Sequence, residues 1–274
     1  MRILVTNDDG IDSPGLHTLA RMITDAGYDT VVAAPSTEQS GTGAAIGILR
    51  PDAPVETERV RIPNAPGLDA WAVAGTPALC ALAARLGAFG LPHDLVVSGI
   101  NLGLNTGRVV LHSGTVGAAL TAQSFGGKGL AVSVAGSDPW QFEAAARCAL
   151  EVIPMLVAAP TYSALNLNVP ARVYSDIKGL RWARLAPFGA VRSAMTDHGD
   201  GTLRLELRPT DAVLPADSDT ALCADGYATL TALVGIAEIW IGPNGHDLAN
   251  TTVDLGHRVP SGTETHNVHS RLHA

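Results

Sequence analysis

Aromatic residues are scarce in this 274-residue chain: four Trp, four Tyr and four Phe make up 4% of it. A core must therefore be assembled from Ala, Val, Leu and Ile, and recognition of a flat ligand by ring stacking has little to draw on. Cysteine is almost as rare. Cys80, Cys148 and Cys223 lie far apart in apolar surroundings and form no CxxC pair, which excludes a disulfide framework and reads as small core residues of a reducing compartment. No apolar run reaches the roughly 18 residues of a membrane span; even residues 144–159 are interrupted by Arg147, Glu151 and Pro154. The opening Met1-Arg2-Ile3-Leu4-Val5 is too short an apolar run for a secretory signal and lacks a small-residue cleavage site, so a cytoplasmic protein is expected. Basic residues are outnumbered 18 to 26, giving a net charge of −8. That balance argues against a nucleic-acid polymer or an anionic membrane as partner, since both demand a basic face. It also means that any phosphorylated ligand needs a local source of positive charge.

What is present is 46% hydrophobic residues and only 16% charged ones, punctuated by 29 Gly and 17 Pro. This suits a globular chain of many short elements rather than a long helical bundle. Ile3-Leu4-Val5 stops at Thr6-Asn7-Asp8-Asp9-Gly10; a helical spacing (Leu16, Leu19, Ala20, Ile23) follows Pro14, and Thr30-Val31-Val32-Ala33-Ala34 is halted by Pro35. Strand, helix, strand is the reading. The alternation continues with a helix near 77–86, a strand over 95–98, a helix over 114–123, a strand over 130–134, a helix over 141–157 and a strand over 165–169. Strands apolar on both faces and separated by helices predict an α/β fold, a doubly wound, mostly parallel sheet. After Pro170, the segments 180–185 and 203–207 alternate with period two, which predicts an appended β-hairpin within about 175–210. The Pro- and Ala-rich stretch 43–75 reads as a loop or extended excursion. A single domain over 1–242 is expected, followed by a polar, flexible tail over 243–274 that carries His246, His257, His266, His269 and His273.

In an open parallel sheet, ligands bind beyond the carboxyl ends of the strands. There the sequence places Asn7-Asp8-Asp9-Gly10, then 36–43, then the Gly- and Asn-rich 98–107, which leads to His112-Ser113-Gly114-Thr115 at a helix start. Adjacent carboxylates repel and lose water when buried, and a divalent cation resolves both costs. Asp8 and Asp9, a hydroxyl such as Ser40 and an amide oxygen such as Asn101 are hard donors of the kind preferred by Mg²⁺, Mn²⁺ or Ca²⁺. The same Asp-Asp-Gly also fits a plain turn with a helix cap, and at this point both stay open. Ser113, Gly114 and Thr115 open a helix whose free N–H groups favour a phosphate; an ordinary N-cap is the alternative. Gly41-Thr42-Gly43 with Gly47 does not have dinucleotide-binding spacing.

These motifs, with Pro14-Gly15, Ala34-Pro35, Gln39-Ser40-Gly41, Gly75-Thr76-Pro77, Val97-Ser98-Gly99-Ile100-Asn101, Ser113-Gly114-Thr115-Val116, Leu165-Asn166-Leu167-Asn168-Val169-Pro170 and Asp219 to Ala221 with Gly226-Tyr227, resemble the SurE family of metal-dependent nucleotidases over roughly residues 1–235. The resemblance implies a Rossmann-like α/β fold and hydrolysis of nucleoside 5′- and 3′-monophosphates with one divalent ion, Mg²⁺ or Mn²⁺, per subunit. It further implies a homodimer that exchanges its C-terminal hairpin, with tetramers in some members. By it, Asp8, Asp9, Ser40 and Asn101 match metal ligands, while Asn105, Ser113, Gly114 and Thr115 match the phosphate side. Asp8, Asp9, Asn105 and Ser113 then carry the chemistry, with His112 a candidate proton donor. The chain departs from the family pattern at Thr121-Ala122, where an acidic residue is usual, and after 227–233, where a proline is. Three other functions compete: a related phosphatase for another phosphorylated metabolite, a catalytically inactive metal- or nucleotide-binding module, and a haloacid-dehalogenase-type phosphatase. The last uses two aspartates one residue apart, whereas here they are adjacent.

Overall fold

In strand β1 (Arg2–Thr6) Ile3 and Val5 face one side of the sheet and Leu4 the other, and all three are buried. Such a strand must be covered on both faces, and helices cover it. The computed structural model describes residues 1–48, 52, 54–136, 138–187, 191–197, 202–209 and 213–237. The predicted alternation is present as α1 (Pro14–Asp25), β2 (Asp29–Pro35), α2 (Pro77–Arg85), β5 (Leu95–Leu102), α3 (Gly114–Ser124), β6 (Lys128–Val134), α4 (Phe142–Ala158) and β7 (Ser163–Val169). Pro is the first residue of both α1 and α2, where its missing N–H costs nothing. Helices α1 and α4 pack with Ile3, Val5, Val97 and Val132 into the larger core cluster. Helices α2 and α3 meet the other face through alanines, Ala81, Ala84, Ala118 and Ala122, together with Cys80. This is how a chain with so few aromatics closes its core. Cys80, Cys148 and Cys223 are buried free thiols whose ionisation burial pushes up to about 12.

Two expectations need correction. The stretch 43–75 is more than a loop: it contributes β3 (Thr57–Val60) and β4 (Asp69–Val73), and β4 pairs in parallel with β2 while β3 lies antiparallel on its outer side. The segment 180–185 is not half of a hairpin. Its first part, β8 (Leu180–Trp182), runs parallel to β11 (Ala228–Leu233), which itself lies antiparallel to β7. Among the described residues the main sheet is thus nine-stranded, in the order β3-β4-β2-β1-β5-β6-β7-β11-β8. The hairpin is built from β9 (Val191–Asp197) and β10 (Leu203–Pro209), a separate two-stranded antiparallel sheet. Helix α5 (Asp219–Ala224) precedes β11. Residues 1–236 form one compact unit; the histidine-bearing tail lies outside the described residues.

The order fixes where a ligand can enter. From β1 the chain moves outward to β2 and β4, then returns to place β5 on the opposite side of β1. The loops after β1 and β5 therefore diverge and leave a crevice at their carboxyl ends.

Candidate active site at the switch point

The crevice holds Asp8 and Asp9 from the β1 loop and Asn101 from the end of β5. Between Ser98 and Asn101 the pairing of β5 with β6 shifts register, a bulge of the kind that re-aims a side chain beside a site. Gly99 makes it feasible. Its φ is +145°, and a Cβ there would lie 2.4 Å from the Val132 carbonyl oxygen. Asn101 donates from its amide nitrogen to the Gly103 carbonyl at 2.7 Å, which turns its oxygen toward Thr115.

Helix α3 is pressed against Asp8. A Cβ on Gly114 would sit 2.8 Å from the Asp8 Cβ, so no other residue fits at this approach without displacement. The Thr115 hydroxyl donates to Asp8 Oδ1 and lies 3.3 Å from Asn101 Oδ1. Burial pushes the Asp8 carboxyl above its usual range, with the Thr115 hydroxyl and N–H pulling the other way. Asp9 is pushed up to about 7, by burial first and then by the charges of Asp8 and Glu38. Its Oδ2 is buried without a hydrogen-bond partner. Among the described residues no cationic side chain acts on these two carboxylates, and a cation would supply the compensating positive charge. No group of three or more His, Cys, Asp or Glu among the described residues is arranged to hold a metal ion. An ion here would draw on carboxylate, amide and hydroxyl oxygens and on water, which suits a hard divalent cation.

The loop after β2 reaches the site through its backbone: the Gln39 N–H donates to the Asp8 carbonyl at 2.7 Å. Ser40 next to it is exposed and bonds Glu38, whose Oε1 accepts the Ser40 N–H at 2.7 Å. The Ser40 hydroxyl first, and then that N–H, hold the Glu38 carboxyl below its usual range. Ser113 caps α3, accepting the Val116 N–H at 3.2 Å. His112 is exposed at the end of a single 3-10 turn (Gly107–Leu111), and its carbonyl accepts the Gly43 N–H at 3.1 Å.

Asn105 is held by residues to which the sequence reading assigned no role. Its N–H donates to Asn168 Oδ1 at 2.8 Å, its carbonyl accepts from the amides of Asn166 and Asn168, and its own amide donates to Ser133 Oγ at 2.9 Å. Two residues on, the Gly107 N–H donates to Asp219 at 2.8 Å, and the same fully buried carboxylate accepts the Ala186 and Thr220 N–H groups. One signal for part of this was visible: Asn166 and Asn168 alternate with Leu165 and Leu167 in a strand otherwise made for burial.

A family model described as Survival protein SurE matches residues 3–189. The chain belongs to the SurE family. SurE relatives include proteins named 5′-nucleotidase SurE from Xanthomonas campestris pv. campestris (strain B100), 38% identical over 189 residues, and from Synechococcus sp. (strain CC9605), 40% identical over 188. Each alignment covers 68% of this chain, and 70% and 69% of the respective relative. The SurE crystal structure from Aquifex aeolicus superposes with a TM-score of 0.72 at 26% identity, over 85% of this chain and 93% of that one. The SurE match ends just before β9, so the hairpin, α5 and β11 lie beyond it, although the structural likeness extends further along the chain.

Proposed function

We propose that this chain is a metal-dependent phosphomonoesterase that hydrolyses nucleoside 5′- and 3′-monophosphates. The observation that carries the chemistry is the Asp8–Asp9 pair at the switch point, with Asp9 Oδ2 buried and unpartnered. The names borne by the SurE relatives supply the substrate class and favour it over a dedicated metabolite phosphatase or an inactive binding module. Asp8, Asp9, Ser40 and Asn101 are the proposed holders of one divalent ion, Mg²⁺ or Mn²⁺. When bound, such an ion neutralises charge on the phosphoryl oxygens and lowers the pKa of water.

The chain's own residues do the rest. Ser113 keeps its hydroxyl proton free for a phosphate oxygen, because the Val116 N–H reaches its oxygen as a donor. The Gly114 N–H, at the start of α3, has no partner within the helix and adds a second donor, in the first turn that Thr115 shares. Asn105 gives one amide N–H to Ser133 and keeps the other. One carboxylate of the pair orients the attacking group; the new P–O bond forms as the ester P–O bond breaks. His112 is the proposed donor of a proton to the departing alkoxide. We place the enzyme in the cytoplasm and assign it a homodimer built by exchange of β9–β10.

Asp8→Asn tests this reading. With a nucleoside monophosphate and Mn²⁺, kcat/KM is expected to fall roughly 10³-fold, the several kcal/mol that metal-assisted charge stabilisation supplies. Full activity in that variant, or in wild-type protein after exhaustive chelation, would sink the proposal.

A further inference from the structure

The resemblance places Thr115 on the phosphate side, yet its hydroxyl is committed elsewhere. Thr115 is fully buried and Oγ1 donates its single proton to Asp8 Oδ1. Asn101 Oδ1 lies 3.3 Å from the same Oγ1, and the amide cannot be turned over to donate there, because its nitrogen is bound to the Gly103 carbonyl. Three oxygens thus crowd together with one proton among them. Such a grouping favours a cation beside it, and a phosphate oxygen arriving at Thr115 Oγ1 would meet only lone pairs.

We propose that Thr115 is a positioning residue that acts through Asp8: its hydroxyl fixes the carboxylate at a set spacing from the Asn101 side-chain oxygen, so that both present a lone pair to one ion. This rests on the metal-dependent reading above. Groups that orient metal ligands typically change affinity 10- to 100-fold when removed. Valine keeps the shape of threonine and deletes the hydroxyl; serine keeps the hydroxyl.

The test is calorimetric titration of metal-stripped protein with Mn²⁺ alone, without substrate. Thr115→Val is expected to bind Mn²⁺ 10- to 100-fold more weakly, and Thr115→Ser to stay within about threefold of wild type. At saturating Mn²⁺, inhibition of the valine variant by inorganic phosphate should match wild type. Should valine not fold, Thr115→Ala removes the same hydroxyl in a residue of high helix propensity and is scored the same way. Unchanged Mn²⁺ affinity with weakened phosphate inhibition would overturn the proposal and return Thr115 to the phosphate side. A wild-type protein that binds no Mn²⁺ sinks the metal-dependent reading itself, an outcome distinct from a valine variant that binds as well as wild type.

Discussion

Asp9 is a carboxylate made costly to ionise by burial and by its neighbours Asp8 and Glu38. Its folded-state pKa of about 7 lies above the ordinary 3.8, so between these values the native protein keeps a proton that the unfolded chain has released. Stability without metal therefore falls as pH rises from about 4 to about 7, and the whole deficit is present above that. Asn cannot ionise. Chelated Asp9→Asn should melt above chelated wild type at about pH 8 and level with it at about pH 4, read by thermal melts across that range. Saturating Mn²⁺ should reverse the order at about pH 8, because only wild type then gains binding free energy. Equal melting of the two chelated proteins at pH 8 would show that the carboxylate is adequately compensated within the chain. The aspartate pair was legible in the sequence because two adjacent acids at a strand end are an electrostatic anomaly. Glu38 was not, since only the folded loop brings it near the pair. Ser133 was hidden for the same reason, and although Asn166, Asn168 and Asp219 stood out in the sequence, their partners did not: the bonds to Asn105 and Gly107 span 28 to 112 residues.

Among the elements, those with long apolar runs could be read directly, and those that owe their strand form to a neighbour could not. Thr57–Val60 is four residues with two exposed charges, and becomes a strand only because β4 offers an edge. Leu180–Trp182 depends in the same way on β11. Helix α3 shows the reverse dependence, in which an element shapes a loop. A Cβ on Gly117 would lie 2.1 Å from the Gly43 carbonyl oxygen, so the loop carrying Gln39 and Ser40 is clamped onto the helix by the absence of a side chain. Gly117→Ala must push that loop outward. Overpacking of this kind costs about 1–3 kcal/mol, against about 1 kcal/mol gained in helix propensity. A lower melting temperature together with weaker Mn²⁺ binding is expected, measured by thermal melts and calorimetry. A more stable variant with wild-type metal affinity would mean that the clamp does not position the loop.

For the whole molecule, the question is how the hairpin relates to the site. Strands β9 and β10 form a sheet of their own, and an isolated two-stranded ribbon is marginal in water. A second copy of the chain is the partner that the SurE resemblance implies. The approach to the hairpin is fastened to the loop that follows β5: Arg108 donates to the Pro187 carbonyl at 2.8 Å, and Asp219 holds the Ala186 and Gly107 N–H groups on one carboxylate. Arg108, Gly107, Ala186 and Pro187 precede the hairpin and Asp219 follows it, so none of these bonds uses a residue of 191–209 and they are expected to survive its removal. Replacing residues 191–209 with a short Gly-Ser connection should give a monomer by light scattering, with the nine-stranded core still folded and Mn²⁺ affinity within about threefold of wild type. Metal binding is then a property of one chain and dimerisation a property of the hairpin. A shortened protein that remains dimeric would place the interface on the main sheet instead. One that turns monomeric and loses Mn²⁺ binding while keeping its melting transition would show that the site depends on the partner subunit.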